Sequence, residues 1–349
     1  MPKQKRSVTI TEVANRAGVS ISTVSRVLNK PHIVRADTRE RVQEAIEEMN
    51  FIPDPMARGL GSRNIRTVAV VVPNIINSSM AEIVRGATET LREHHADTLL
   101  FNSNEDPEVE LRHYQYLTEN MIHGVIFITH CGADVDFGRI AGSMPVVLVD
   151  REETHPRVDT FIVDDQQAVD IQYQYLKGLG HEHIGMVAGN RMTMGAQRRV
   201  RHFRRVLEED GRVLEEGRMI AYCPWTMEGG RDGFLELIDK MPEVTAVICN
   251  NDILGLGAQG AAYEHRIRIP EDISVIGADN CTESAYLAPS LTTLNYPSYE
   301  IGRRSANAVI ERFGDMNRAG GMVKLPVQLM ERKSCGPPRK GPLTANISR

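Results

Sequence analysis

The stretch VTITEVANRAGVSISTVSRVLNK, residues 8–30, decides how the chain is read. Thr9 followed by Glu12 is a capping box, in which hydroxyl and carboxylate each satisfy an orphan N–H at a helix start. Val13, Ala14 and Ala17 then form one apolar stripe at helical spacing. Gly18 predicts the end of that helix, because glycine takes the left-handed conformation cheaply. Ser20 suits the cap of a second helix, with Val24, Val27 and Leu28 facing inward. Two short helices joined through a Gly turn make a helix-turn-helix. Ile21, Ser22, Ser25, Arg26 and Asn29 are left for the outer face. Arg can fork onto guanine, and Ser and Asn reach base edges or phosphates. A plain helical hairpin with a solvated face remains the alternative at this point.

Two further observations favour DNA. TRERVQEAIEEMNF, residues 38–51, reads as a third helix with Val42, Ala45, Ile46 and Met49 on one face. Charge is also unevenly distributed. The first 66 residues hold 12 Lys+Arg against 7 Asp+Glu, and the remainder holds 29 against 39. A basic end is drawn to phosphate and an acidic body is not.

The chain of 349 residues has room for two or three domains. No apolar run approaches the ~20 residues needed to span a bilayer. MPKQKRS has charge but no apolar region after it, so a secretory signal is not expected. The five cysteines, at 131, 223, 249, 281 and 335, include no CxxC pair. Neither a disulfide framework nor a zinc site is suggested, and a reducing cytoplasm is the expected compartment.

After Arg66 short apolar runs alternate with amphipathic segments. TVAVVVP, GVIFIT, MPVVLVD, HIGMVAG, TAVICN and ISVIG read as buried strands, with MAEIVRGATETLREHH and AQRRVRHFRRVLEEDG as helices between strands. Strands apolar on both faces imply parallel sheets covered by helices. The strands are too many for one comfortable sheet, so two doubly wound lobes are expected, with ligand between them. The fold class is thus an all-α DNA-binding domain followed by a two-lobed α/β body. The Pro/Gly-rich end, SCGPPRKGPLTANISR, has no periodicity and is expected to be disordered.

Chemical motifs are sparse. GLGAQG, residues 255–260, fits G-x-G-x-x-G, but NDIL separates it from the preceding strand and puts the glycines inside a helix. Close helix packing is the better reading. HEH at 181–183 lies between a helix end and a strand and reads as a polar loop. No nucleophile with a base is evident. No enzyme activity, metal or cofactor is expected.

These residues together resemble the lactose-repressor/galactose-repressor (LacI/GalR) family over about residues 8–332. The similarity rests on TITEVANRAGVSISTVSRVLN, ARGL at 57–60, PVVLVDR at 145–151, TAVICNNDILGLGA at 245–258, IPEDISVIGAD at 269–279 and LTTL at 291–294. It implies a homodimeric transcription regulator with a body like a periplasmic sugar-binding protein. The implied organisation is a helix-turn-helix domain at 8–52, a hinge at 53–65 and an effector-binding and dimerisation domain at 66–332. Its N-lobe would span about 66–166 and 296–325, its C-lobe about 167–295 and 326–332, leaving 333–349 as the tail.

The resemblance also implies roles. Ile21, Ser22 and Arg26 would face bases; Thr23, Ser25 and Asn29 would hold phosphates, with Thr9 and Ser20 beside them. Arg35 stands where a small hydroxyl residue is usual, losing a cap and adding a cation. DPMARGLGSR, residues 54–63, resembles a hinge helix in which Arg58 and the wedge Leu60 would enter the minor groove. A linker Leu packed on its own lobe is the alternative for Leu60. Arg199, Trp225, Asn251 and Asp279 would line the effector pocket, although a lone Trp is also a common core residue. Ser79 stands where a stacking aromatic is usual, and His202 where Gly is. Arg151 and Arg191 fall at element ends facing the expected cleft. Three arginines there suggest an anionic effector, a sugar acid or sugar phosphate, rather than a neutral sugar.

The expected function is a DNA-binding regulator, a repressor of a pseudo-palindromic operator, controlled by a small metabolite. The alternative is a solute-binding protein of a transporter, whose body would look the same but which has no use for a basic helix-turn-helix.

Overall fold

The structure is a computed structural model describing residues 8–51, 66–128, 135–152, 155–341 and 343. The hinge at 53–65, with Arg58 and Leu60, lies outside the described residues, as does the Asn29 side chain. The chain forms two units that divide between residues 65 and 66.

The first unit is a three-helix domain. Helix α1 (Ile10–Ala17) starts at the Thr9/Glu12 capping box, with both reciprocal bonds present. It ends at Gly18, which is left-handed at φ 65°. Helix α2 (Ile21–Asn29) is capped by Ser20, whose Oγ accepts from the Thr23 N–H at 3.2 Å. Helix α3 (Ala36–Glu48) follows. Val13, Ala14, Ala17, Val24, Val27, Val42, Ala45 and Phe51 form the common core. Arg35 precedes α3 without a side-chain cap bond, so the lost hydroxyl is not replaced.

The second unit contains two parallel sheets. The first has strands β1 (Arg66–Val72), β2 (Ala96–Asn102), β3 (Gly124–Ile128), β4 (Val146–Val149), β5 (Val158–Val163) and β11 (Met322–Leu325). Their order is β11-β5-β4-β3-β1-β2, and all neighbours are parallel. Helices α4 (Ser78–Glu93), α5 (Pro107–Glu119), α6 (Phe137–Ile140) and α12 (Ser298–Gly314) accompany it. The second sheet has β6 (Ile184–Ala188), β7 (Ile220–Tyr222), β8 (Ala246–Cys249) and β9 (Ser274–Ile276), in the order β7-β6-β8-β9, again parallel. With it go α7 (Asp165–Gly178), α8 (Met194–Glu209), α9 (Glu216–Met219), α10 (Met227–Lys240) and α11 (Asp252–Glu264). A separate pair, β10 (Thr293–Asn295) with β12 (Gln328–Met330), is antiparallel. Strands β3, β4 and β8 are buried throughout, as sheets covered on both faces require.

GLGAQG lies inside α11. A Cβ on Gly257 would stand 2.0 Å from the Met227 carbonyl oxygen, so its absence lets α10 and α11 meet at backbone distance. The motif is a packing device.

The tail expectation fails for residues 333–341, which are ordered against the second sheet. Ser334 is fully buried; its Oγ accepts from the Thr292 N–H at 2.8 Å and donates to the Val275 carbonyl at 2.6 Å. The Val275 N–H donates to the Ser334 carbonyl at 2.9 Å. His181, fully buried, donates from Nε2 to the Gly336 carbonyl at 2.9 Å. Arg339 donates to the carbonyls of Asp272 and Pro242 at 2.8 and 2.9 Å. The physical reason is the open edge of β9: its unpaired backbone groups recruit a segment whose composition alone reads as linker.

Ser334→Ala strands the buried Thr292 amide and leaves the Val275 carbonyl with only the weaker Cys335 thiol as side-chain donor. It is expected to cost about 1–3 kcal/mol in urea unfolding. An unchanged midpoint would mean that the tail is free after all.

Candidate functional site

The C-terminal ends of both sheets of the second unit meet at one cleft. Pro73 and Asn74 follow β1, Glu105 follows β2 and Asp150 follows β4. Opposite them Thr193 follows β6, Trp225 follows β7, Asn251 follows β8 and Asp279 follows β9. Asn77, Met80, Gly195 and Arg199 complete a cavity of about 640 Å³, its open mouth included. Parallel sheets leave their connecting loops free at the strand C-termini, which is why binding groups collect there.

An ion cluster ties the two walls. Asp165 sits at the start of α7 and accepts from Arg198 Nε at 2.7 Å and Arg199 Nε at 2.8 Å. Arg198, only 2% exposed, also pairs with Asp150 at the end of β4. Burial alone would raise the Asp165 carboxyl, but Arg199 and Arg198 overcome it and hold it below its ordinary range. Arg199 spends a further bond on the Asn250 carbonyl at 2.8 Å. Two carboxylates and two guanidiniums thus balance within the wall.

Trp225 lies against Gly189, where a Cβ would stand 2.0 Å from the indole ring. Its ring centre is 6.0 Å from the Arg199 guanidinium carbon. Asn251 caps α11, its Oδ1 accepting from the Leu254 N–H at 3.0 Å. Glu105, Asp150 and Asp279 have φ of 61°, 58° and 116°. Such backbone costs of order 1–3 kcal/mol per residue and persists where the surroundings hold it. Burial, then the nearby Asp252, push the Asp279 carboxyl well above its ordinary range.

Four residues named from the sequence, Arg199, Trp225, Asn251 and Asp279, come together here. Three do not. Ser79 is buried, its Oγ 2.7 Å from Ser298 Oγ, tying α4 to α12 instead of lining the cavity. Arg151 stacks its guanidinium 4.3 Å from the Phe137 ring centre. Arg191 is 69% exposed and pairs with Glu216 at 2.9 Å. The case for an anionic effector loses its basis, because among the described residues Arg199 is the one arginine that reaches the cavity, and Asp165 already matches its charge. Sequence reading missed Glu105 and Asp150. Asp150 ends a strand just as Asp279 does, and that signal was present in PVVLVD.

In the first unit Ile21, Ser22 and Arg26 are exposed on α2, and Thr23 and Ser25 are half-buried. Arg26 makes no ion pair among the described residues, so its five donors stay available. The Thr9 and Ser20 hydroxyls are engaged as helix caps.

A helix-turn-helix unit joined to a two-lobed body with a ligand-sized cleft defines a ligand-controlled DNA-binding regulator. The profile described as "Bacterial regulatory proteins, lacI family" matches residues 9–54. That for "Periplasmic binding proteins and sugar binding domain of LacI family" matches 66–333. The chain is similar to the HTH-type transcriptional repressor CytR of Escherichia coli (strain K12), at 29% identity over 95% of this chain and 97% of that one. Among solved structures it resembles the lac repressor dimer bound to operator and the anti-inducer ONPF, with TM-score 0.76 and 25% identity over 95% and 100% of the two chains. It also resembles the transcriptional regulator CelR in complex with cellobiose, with TM-score 0.69 and 27% identity over 94% and 99%. The chain belongs to the LacI family of bacterial regulatory proteins. It is a DNA-binding transcriptional regulator controlled by a small molecule. Among the described residues no helix is long and apolar enough to cross a membrane.

Asp252, fully buried beneath Asn251, yields a pH prediction. Burial raises its carboxyl to about 6, against the opposing bonds from Thr293 Oγ1 and the Cys281 N–H. The fold therefore holds this proton more tightly than the unfolded chain, whose aspartates titrate near ~4. Stability from this group is present below about pH 4 and is lost as pH rises through about 6. Asp252→Asn mimics the protonated form, so its stability should gain on that of the parent across this window. Parallel stability curves in urea unfolding would refute the assignment.

Proposed function

We propose that the chain is a homodimeric repressor of a pseudo-palindromic operator, released or engaged by a polyhydroxylated, sugar-sized effector held between the lobes. The observation that carries the effector class is the cavity itself. It combines the flat face of Trp225 with the hydrogen-bonding groups of Asn77, Asp150, Arg199, Asn251 and Asp279. Rings of carbon and hydroxyl need such a mixture of apolar face and polar rim. The cellobiose bound by CelR is of this kind.

Ile21, Ser22 and Arg26 read bases in the major groove, and Thr23, Ser25 and Asn29 hold phosphates. Arg35 adds a cation there. Arg58 and Leu60 enter the minor groove, where a Leu wedge unstacks bases and bends the duplex. The two-fold symmetry of a dimer calls for two related half-sites. The effector acts by binding one arrangement of the lobes better than the other.

Selection of bound DNA from a random pool should return one pseudo-palindrome. Arg26→Ala should then cost about 1–3 kcal/mol on that sequence. An equal loss on random DNA would return Arg26 to a phosphate contact. Trp225→Ala should leave operator affinity in place and abolish the response to effector. A variant that still responds would remove Trp225 from the pocket.

A further inference from the structure

Helix α2 carries an apolar side chain that the fold does not use. Val24 and Val27 are buried in the three-helix core, and Leu28 packs against it. Ile21, the first residue of the helix, is 47% exposed and belongs to no core cluster among the described residues. Local preference does not call for it either, since a β-branched side chain is a modest helix former. Single exposed Ile residues are common on protein surfaces. This one stands among hydroxyls that serve one another: Ser20 Oγ lies 2.8 Å from Ser22 Oγ and 2.9 Å from Thr23 Oγ1. The polar groups at the start of α2 thus already have partners within the protein, and the Ile21 side chain has water.

We propose that Ile21 selects a thymine in each operator half-site by packing on its 5-methyl group. The inference rests on the reading of α2 as the helix that enters the major groove, where the first residues of a recognition helix meet base edges. A base pair shows donors and acceptors there, and one apolar group, the thymine methyl. An Ile side chain laid on a donor or acceptor takes water from it and returns no hydrogen bond. Laid on a methyl group, it removes apolar surface from water on both sides. Cytosine in the same place lacks the methyl and offers its N4 amino group instead, so Ile21 tells the two pyrimidines apart. Arg26 reads by hydrogen bonds and Ile21 by apolar contact, and the two residues specify different base pairs.

The test uses the full chain and the operator selected from a random pool. Each thymine of one half-site is replaced in turn by uracil, which deletes the 5-methyl group alone, and affinity is read by fluorescence anisotropy. One position is expected to lose about fourfold, the worth of one buried methyl group. In Ile21→Ala the same uracil should cost less than about twofold, because the partner of the methyl is gone. Ala is the best helix former and Ile21 lies outside the core, so the substitution leaves the domain folded. A change in duplex shape caused by uracil would be felt equally by both proteins and would not cancel. The inference is overturned if the half-site holds no thymine, if uracil costs less than about twofold at every position, or if the loss is the same in Ile21→Ala. Failure of α2 as the reading helix looks different: Ile21→Ala and Arg26→Ala would then each change binding to the operator and to random DNA by the same factor.

Discussion

The pairing of the buried Arg198 with Asp150 on one lobe and Asp165 at the start of α7 is the contact on which the working body depends. A guanidinium at 2% exposure cannot be left unmatched. Breaking a buried pair costs about 3–5 kcal/mol, because the surviving charge has neither water nor partner. The cluster therefore fixes how the end of β4 meets α8. Arg199, its neighbour in sequence, shares Asp165 and turns toward the cavity, so ligand contacts and lobe contacts draw on one set of charges.

Under the proposed function, this arrangement would couple ligand to lobe contact. A rigid wall alone would bind a ligand without consequence. Here Asp150 both lines the cavity and anchors Arg198, so a ligand that bonds to Asp150 competes with or reinforces a contact between lobes. Strained backbone at Glu105, Asp150 and Asp279 points in the same direction, since the fold holds these carboxylates at the cavity against local preference. The buried Asp252 beneath Asn251 lowers the ease with which Asp279 ionises, and so tunes the far wall.

Much of this was legible in the sequence where the determining forces are local. Capping box, Gly turn and apolar stripe specify the helix-turn-helix within 23 residues, and the structure forms it with the caps as read. Alternation of buried strands with helices gave two parallel sheets. The cleft was legible only in part. Arg199, Trp225, Asn251 and Asp279 came with the family resemblance and do line it, but Arg151 and Arg191 do not, because sequence position at an element end does not fix side-chain direction. Arg151 turns to the Phe137 ring and leaves the cavity to Asp150, one residue earlier. The tail was misread because a Pro/Gly composition records low intrinsic order and not the open β9 edge that awaits it. Pairing between residues 59 positions apart, such as Val275 with Ser334, leaves no local trace.

The most direct measurement is the affinity of full-length Asp150→Asn for the operator selected from a random pool, by fluorescence anisotropy over a range of salt. Residue 150 belongs to the second unit and not to the one that holds the helix-turn-helix. If the lobe-bridging cluster governs DNA binding, the substitution shifts operator affinity by roughly 5–150-fold, the usual range of coupling between sites. The salt slope stays that of the parent, because the phosphate contacts are untouched. An operator affinity within twofold of the parent at every salt concentration would contradict the account.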